Sequence, residues 1–162
     1  IQGKHIVFLG AGGTAKALSY VCLKNQVASL SIINRTLDKA SLLQKELLAL
    51  NDDVPIHVFS RDDDASLAVL KQADLIINVT SLGLSSDDDL PVVSTDWFRS
   101  DQCLVDVIYN PKETPFLLLG REHGLKTING LAMLAAQAAY AFELFVDRDA
   151  PFDEFFSVLA NL

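Results

Sequence analysis

A glycine-rich turn near the start of the chain has the residue types needed to hold a phosphate. The pattern G-x-G-x-x-A is filled by Gly10, Gly12 and Ala15, and it follows an apolar run of strand length at 6–9. Glycines let the backbone turn sharply and approach a ligand, and a following helix offers unpaired N–H groups and its positive dipole end. A strand, a glycine turn and a helix in this order are the context of a dinucleotide site. We therefore predict a nucleotide pocket around Gly10, Ala11, Gly12, Gly13, Thr14 and Ala15.

A second candidate segment lies where the apolar run 30–33 ends in Asn34, Arg35 and Thr36. In a dinucleotide-binding fold, the second strand ends beside the adenosine ribose, where a carboxylate favours NAD and an arginine accommodates the 2′-phosphate of NADP. Here the strand end carries no carboxylate, and Lys39 follows one helical turn later. Because a guanidinium can bind a phosphate ester through two hydrogen bonds, the segment favours NADP(H) as the cofactor. The alternative is an ordinary surface pair of cations.

Polar residues also follow the fourth apolar run, at 75–78. Asn78, Thr80 and Ser81 would lie at the carboxyl end of that strand, where ligands of open α/β sheets bind. The same residue types are common turn formers that satisfy backbone groups. The sequence leaves both interpretations open.

A third group of candidates lies in the second half of the chain. Tyr109 follows the fifth apolar run and either reaches a substrate or packs at an interface. Gly130, Met133 and Gln137 share one face of a long predicted helix. Gln137 lies among Ala and Leu, so its amide either points at a polar ligand or bonds to backbone groups in the core.

The elements that must position these residues alternate between strands and helices. Such alternation implies right-handed crossovers and a parallel sheet, and continuous apolar strands indicate a sheet covered on both faces. The expected fold is α/β and Rossmann-type, a doubly wound, mostly parallel six-stranded sheet in the order 3-2-1-4-5-6 with helices on both faces. We predict strands at 6–9, 30–33, 56–59, 75–78, 104–108 and 127–128, and helices at 14–25, 38–50, 65–72, 116–123, 130–146 and 152–159.

Composition narrows the functional classes. The 162 residues suit one domain, and half of them are hydrophobic, which allows a large core. The formal net charge of −8 argues against nucleic acid or an anionic membrane as a partner. The apolar stretch 131–146 is interrupted by polar residues and favours a buried helix over a membrane span.

Cysteine and aspartate usage adds two expectations. Cys22 and Cys103 stand in apolar surroundings without a C-x-x-C pattern, so we expect two reduced, buried thiols and a cytoplasmic location. The acidic runs at 62–64 and 87–89 indicate solvated loops, and Asp64 is a candidate N-cap of the next helix. Neither run has the spacing of a calcium loop, so no metal site is predicted.

Five motifs occur in order along the chain. They are 7–13 (VFLGAGG), 34–36 (NRT), 78–83 (NVTSLG), 106–115 (DVIYNPKETP) and 129–138 (NGLAMLAAQA). With these motifs the chain resembles the NADP-binding, C-terminal half of the shikimate dehydrogenase family, and the resemblance covers nearly all 162 residues. It implies reversible hydride transfer between NADPH and 3-dehydroshikimate, giving shikimate, in aromatic amino-acid synthesis.

The resemblance assigns roles to most of the candidates. It implies that the turn 10–15 binds the pyrophosphate and that Tyr109 and Gln137 face the substrate. Asn34, Arg35, Thr36 and Lys39 would hold the 2′-phosphate. Asn78 would also belong to the cofactor site. The ribose and nicotinamide end would be lined by Val79, Thr80, Ser81, Val107, Gly130 and Met133.

The resemblance also implies that residues 1–162 form the NADP-binding domain alone. The family's catalytic Lys and Asp belong to an N-terminal domain that would precede Ile1, and the substrate would be shared with that domain. We therefore expect this chain to bind NADP(H), to catalyse negligibly by itself, and to expose an apolar face that promotes self-association. The alternatives are a quinate/shikimate dehydrogenase relative and a non-catalytic nucleotide-binding sensor module.

Overall fold

The computed structural model describes residues 1–85, 90–92 and 94–161. Six strands form one sheet in which every neighbouring pair is parallel, in the order β3-β2-β1-β4-β5-β6. The predicted fold class and strand order are confirmed. The strands are β1 (His5–Leu9), β2 (Ser29–Asn34), β3 (Ile56–Ser60), β4 (Leu75–Asn78), β5 (Cys103–Asp106) and β6 (Lys126–Ile128).

Six helices connect and flank these strands. Their bounds agree with the predicted helices to within one or two residues. The helices are α1 (Gly13–Lys24), α2 (Leu37–Leu48), α3 (Asp64–Gln72), α4 (Pro115–Glu122), α5 (Leu131–Val146) and α6 (Phe152–Ala160).

Two apolar clusters cover the two faces of the sheet. On one face, Phe8 and Ile32 pack with residues of α1 and α2, such as Leu23 and Leu47. On the other face, Leu9 and the neighbouring strands pack with α3, α4 and the buried Trp97. Because the central strands are buried on both sides, their sequences are apolar without alternation. The sheet is thus a rigid support whose carboxyl edge, the edge where all six strands end, carries the candidate site.

Helix α4 begins and ends at residue types that are typical of helix ends. Thr114 is the N-cap, its Oγ1 accepts a hydrogen bond from the N–H of Leu117 (3.3 Å), and Pro115 follows at the first helical position. Gly124 has a φ of +76° and lies just after the helix, where a left-handed glycine commonly ends a helix.

Three local predictions are wrong. The cap of α3 is Asp63 rather than Asp64, because the Asp63 carboxylate accepts the N–H of Ala65 (2.9 Å). Strand β5 ends at Asp106 rather than at residue 108, because the Asp106 carboxylate accepts a hydrogen bond from the N–H of Ile108 and so replaces a bond to a neighbouring strand. Leu50 lies beyond the end of α2 and is exposed. The predicted loop at 87–89 lies outside the described residues.

Helix α5 is not the buried helix that its apolar sequence predicts. Only one stripe, formed by Leu131, Ala135 and Ala139 at four-residue spacing, is buried. Leu144 and Phe145 are 85% and 89% exposed. With its 16 residues, α5 is too short to cross a bilayer, and among the described residues no other helix has the length and apolarity for it.

Candidate functional site

The glycine-rich turn joins β1 to α1 at the carboxyl edge of the sheet. Gly10 has a φ of +114°, and a Cβ at this position would lie 2.8 Å from Cγ2 of Thr80, so only glycine fits. The N–H of Gly10 donates to the carbonyl oxygen of Ile33 (2.8 Å), which holds the turn against β2. At Gly12 and Gly13 an added Cβ would meet nothing within 4 Å. The outer side of the turn is therefore open to a ligand.

The N-terminus of α1 is suited to an anion. The N-cap Gly12 brings no side-chain hydrogen bond, and the first turn contains no acidic residue. The first N–H groups of a helix have no partner within the helix, and they lie at its positive dipole end. A shallow cavity of about 300 Å³ lies here between α1 and α2 and includes Lys16 and Lys39. Lys16 is paired with Glu46 (2.7 Å), which leaves the exposed Lys39 as the cation available to a phosphate.

The end of β2 carries the predicted cations on a defined turn. The amide of Asn34 donates to the carbonyl oxygen of Thr36 (2.7 Å), which bends the chain into α2. Arg35, Thr36 and Lys39 are exposed, and Thr36 is an N-cap whose side chain makes no capping hydrogen bond. Within the described part of the chain, Arg35 and Lys39 form no ion pair. Two cations and a hydroxyl group therefore face solvent beside a helix N-terminus.

Asn78 organises the exit of β4 from a buried position. Its Nδ2 donates to the carbonyl oxygen of Leu82 (3.0 Å) and to Oδ2 of Asp106 (3.1 Å). Its Oδ1 accepts from the N–H (3.1 Å) and the hydroxyl group (2.7 Å) of Thr80. The turn-forming interpretation of Asn78 and Thr80 is therefore confirmed. Val79 is also buried, whereas Thr80 is half-buried and Ser81 is exposed at the edge.

The Asp106 carboxylate is the centre of the same buried network. It accepts hydrogen bonds from Asn78, from the hydroxyl group of Thr114 (2.7 Å) and from the N–H of Ile108 (3.0 Å). Burial raises the pKa of Asp106 above its usual range, while these three hydrogen bonds act in the opposite direction. The network ties the ends of β4 and β5 to the start of α4.

One cavity brings three of the predicted segments together. It has a volume of about 310 Å³ and lies where the sheet order changes direction between β1 and β4. In open α/β folds this switch point is the usual place of a ligand. The lining residues are Leu9, Gly10, Ile33, Asn34, Arg35, Arg61, Thr80, Ser81, Leu82 and Pro91.

The remaining residues predicted for the nicotinamide and substrate end follow β5 or belong to α5 and its N-cap. Gly130 packs so tightly that an added Cβ would lie 2.0 Å from the carbonyl oxygen of Val107, which is half-buried. Met133 and Gln137 are exposed, which excludes the interpretation of Gln137 as a core amide. Tyr109 is exposed and lines a different cavity of about 480 Å³.

Arg61 is a charged residue of this cavity that lies outside the predicted site segments. It follows β3, and its N–H donates to the carbonyl oxygen of Asn34 (3.3 Å). The available signal was its position, since parallel strands end at the same edge and β3 neighbours β2 in the predicted order.

The cysteines and acidic residues add no further chemistry to the site. Both thiols are free, Cys22 is buried, and Cys103 is only half-buried, contrary to the expectation of two buried thiols. Burial raises the pKa of Cys22 to about 11, so its thiol stays protonated at neutral pH. In the ranges 1–85, 90–92 and 94–161, no group of three or more His, Cys, Asp or Glu residues is placed to hold a metal ion.

The strand order, the glycine turn and the switch-point cavity define a Rossmann-type α/β domain. Two family models match the sequence: "Shikimate / quinate 5-dehydrogenase" over residues 1–88 and "Shikimate 5'-dehydrogenase C-terminal domain" over residues 130–155. A shikimate dehydrogenase (NADP(+)) of Moorella thermoacetica is 38% identical over 149 residues, which are 92% of this chain and 50% of that protein. The chain thus belongs to the shikimate dehydrogenase family.

Solved structures agree with this assignment. Shikimate 5-dehydrogenase of Listeria monocytogenes, in complex with shikimate and NAD, superposes with a TM-score of 0.88 at 29% identity, covering 98% of this chain and 56% of that one. The Thermus thermophilus enzyme, in complex with NADP(H) and shikimate, gives 0.81 at 26% identity, covering 98% and 55%. The chain spans about half the length of the curated relatives it matches.

Proposed function

We propose that this chain is the NADP(H)-binding half of an enzyme that reduces 3-dehydroshikimate to shikimate. One observation carries the proposal: Arg35, directly after β2, and Lys39, in the first turn of α2, form no ion pair within the described residues and lie beside the open glycine turn. A carboxylate at this strand end would favour NAD, whereas cations suit the 2′-phosphate of NADP. The name of the Moorella relative, a shikimate dehydrogenase (NADP(+)), supports the same cofactor.

The chain's own residues would bind and orient the cofactor. The N–H groups of the turn and of α1 would hold the pyrophosphate, and Asn34, Arg35, Thr36 and Lys39 would hold the 2′-phosphate. When bound, NADPH supplies the hydride. Tyr109 and Gln137, both exposed, would face the substrate. The ribose and nicotinamide would lie against Val79, Thr80, Ser81, Val107, Gly130 and Met133, while Asn78 would act by positioning the β4 exit.

The proton-transfer groups would come from outside these residues. The family resemblance assigns them to a Lys and an Asp of an N-terminal domain, and the relatives are about twice as long as this chain. We therefore propose that the chain is cytoplasmic, and that in isolation it binds NADP(H) and has negligible turnover. Mixing it with NADPH and 3-dehydroshikimate should give no measurable oxidation of NADPH. A rate near that of a full-length relative assayed in parallel would contradict this.

Calorimetry with the isolated chain tests the cofactor assignment. NADP⁺ should bind more tightly than NAD⁺, and Arg35→Ala should weaken NADP⁺ binding by roughly 10- to 100-fold, as expected for a lost hydrogen bond to a charged group. NAD⁺ binding should change little. Lys24→Ala, at the far end of α1, removes one exposed cation and serves as the control. Equal affinity for both nucleotides, or binding of neither, would contradict the proposal.

A further inference from the structure

Arg61 shares the switch-point cavity with Arg35, the first residue after β2. It is the first residue after β3, and its backbone N–H is bonded to the carbonyl oxygen of Asn34. Because Asn34 pairs with Ser60 at the end of the β2–β3 ladder, Arg61 and Arg35 emerge from neighbouring strand ends. Both side chains line the cavity of about 310 Å³. The sheet therefore places two guanidinium groups beside one pocket.

The side chain of Arg61 is unusual because a buried donor has no acceptor. The side chain is only 26% exposed, and its Nε has no hydrogen-bond partner in the part of the chain that the structure describes. Nε forms a long ion pair with Oδ1 of Asp62 at 3.6 Å, which is too far for a hydrogen bond, and the Asp62 side chain is 69% exposed. Leaving a buried charged donor without a partner is unfavourable, so the arrangement points to an acceptor supplied from the cavity.

We propose that Arg61 is a second arginine for the adenosine 2′-phosphate and contributes to the preference for NADP over NAD. The inference rests on the proposed function, since it requires that the cofactor bind in this cavity. A phosphate monoester carries close to two negative charges at neutral pH, which two guanidinium groups can match. Stacking of Arg61 on the adenine ring would use the guanidinium face and leave Nε–H without an acceptor. The buried donor therefore favours the phosphate.

The test compares nucleotides that differ only by this phosphate. Calorimetry is performed with NADP⁺, NAD⁺, adenosine 2′,5′-bisphosphate and AMP on the wild-type chain, Arg61→Gln and Arg61→Lys. Arg61→Gln should weaken the binding of NADP⁺ and of the bisphosphate by about tenfold or more. The binding of NAD⁺ and AMP should weaken by less than about twofold. Arg61→Lys should weaken NADP⁺ binding less than Arg61→Gln does, because lysine keeps the positive charge but lacks the planar guanidinium group that can form two parallel hydrogen bonds.

Controls separate the possible failures. Arg99→Gln makes the same change of charge at the amino edge of the sheet, where Arg99 pairs with Asp101, and should leave the NADP⁺/NAD⁺ affinity ratio unchanged. Thermal unfolding of each variant without nucleotide identifies any loss of folding. An unchanged ratio in a folded Arg61→Gln variant, or equal weakening of NADP⁺ and NAD⁺, would overturn the role of Arg61 while leaving the cofactor assignment intact. Absence of NADP⁺ binding to the wild-type chain would overturn both.

Discussion

Individual polar residues at the carboxyl edge hold the loops on which the site is built. Asn78 and Asp106 are both fully buried, and each uses its side chain to satisfy backbone groups of the loop that follows its strand. Thr114 joins the same network while capping α4. Buried networks of this kind fix geometry because every unsatisfied member would be costly. The exits of β4 and β5 are thereby held in place beside the cavity.

Removal of the Asn78 side chain should destabilise the fold. Asn78→Ala leaves the Asp106 carboxylate with one donor fewer and leaves Leu82 O and the N–H of Thr80 without their present partner. We expect a loss of roughly 2–4 kcal/mol in the free energy of unfolding. Urea denaturation measures it, with Asn161→Ala at the exposed end of α6 as the control. A change no larger than in that control would contradict the role of the network.

Gly130 should be intolerant of any side chain for steric reasons alone. Its φ of −76° suits any residue, but an added Cβ would lie 2.0 Å from the carbonyl oxygen of Val107. Gly130→Ala should cost about 1–3 kcal/mol or more in unfolding free energy, since the contact is with backbone. Gly13→Ala, where a Cβ meets nothing within 4 Å at the start of α1, should be neutral or stabilising. Equal stability of the two variants would show that the close approach is absent.

At the residue scale, the sequence predicted the phosphate-binding residue types but not their full set. The segment 34–36 was recognisable because it follows an apolar run of strand length. Gly10 was recognisable because it begins the pattern G-x-G-x-x-A after another such run. Arg61 has no local motif, and its relevance arises only from the pairing of β3 with β2. The exposure of Gln137 was also not predictable from its apolar neighbours, because α5 buries only a narrow stripe.

Among the elements, β1 and β4 are joined at the amino edge by a polar contact as well as by their ladder. The Asp74 carboxylate accepts the N–H of His5 (2.8 Å) and pairs with Lys4 (3.0 Å), and the N–H of Asp74 donates to the carbonyl oxygen of His5 (2.9 Å). Burial acts to raise the pKa of Asp74, but the hydrogen bonds from His5 and Lys4 outweigh it and hold the pKa below the ordinary value of 3.8.

This contact predicts a pH dependence of stability. Because the folded-state pKa of Asp74 is lowered, its contribution is present above the unfolded-state pKa and is lost as pH falls through the lowered folded value. The difference in unfolding free energy between the wild-type chain and Asp74→Asn should be constant from pH 7 to about pH 5 and shrink below about pH 4. Urea denaturation across this range measures it, with exposed Asp52→Asn as the control. A difference that grows on acidification would contradict the assignment.

Element types were predictable because the strands of a doubly covered sheet are continuously apolar and the helices begin at recognisable caps. Thr114 and Pro115 mark α4 from sequence alone. The ends of strands were less predictable where a side chain, rather than a neighbouring strand, accepts the backbone hydrogen bond. Asp106 does this at the end of β5. The position of the Asp63 cap was missed by one residue because consecutive aspartates are equally good candidates.

On the scale of the whole molecule, exposed apolar side chains concentrate on the surface of the last two helices. They include Tyr140, Leu144 and Phe145 of α5 and Phe156 and Val158 of α6. The two helices pack on each other, with Phe142 and Phe155 in edge contact at 5.7 Å between ring centroids. Contiguous exposed apolar surface favours association. Under the proposed function, the remaining half of a full-length enzyme would be one candidate to cover it.

The isolated chain should therefore self-associate through this surface. Replacing Leu144 and Phe145 by Lys should shift the chain toward the monomer without a large loss of stability, since both side chains are exposed. Analytical ultracentrifugation over a range of concentrations measures the shift. Tyr20→Lys, an exposed apolar position on α1, should leave the distribution unchanged. A monomeric wild-type chain at high concentration would contradict the prediction.

A titration of the isotope-labelled chain with NADP⁺, followed through the chemical shifts of its backbone amides, tests most directly whether this chain binds NADP(H) at the carboxyl edge of the sheet. The largest shifts are expected at residues 10–15, 34–39, 61 and 79–81, because these residues surround the α1 N-terminus and the switch-point cavity. Weaker or no shifts at 34–39 are expected with NAD⁺. Shifts confined to a separate cavity lined by Leu117, Thr127 and Phe156, or no shifts at millimolar NADP⁺, would contradict NADP(H) binding at the carboxyl edge.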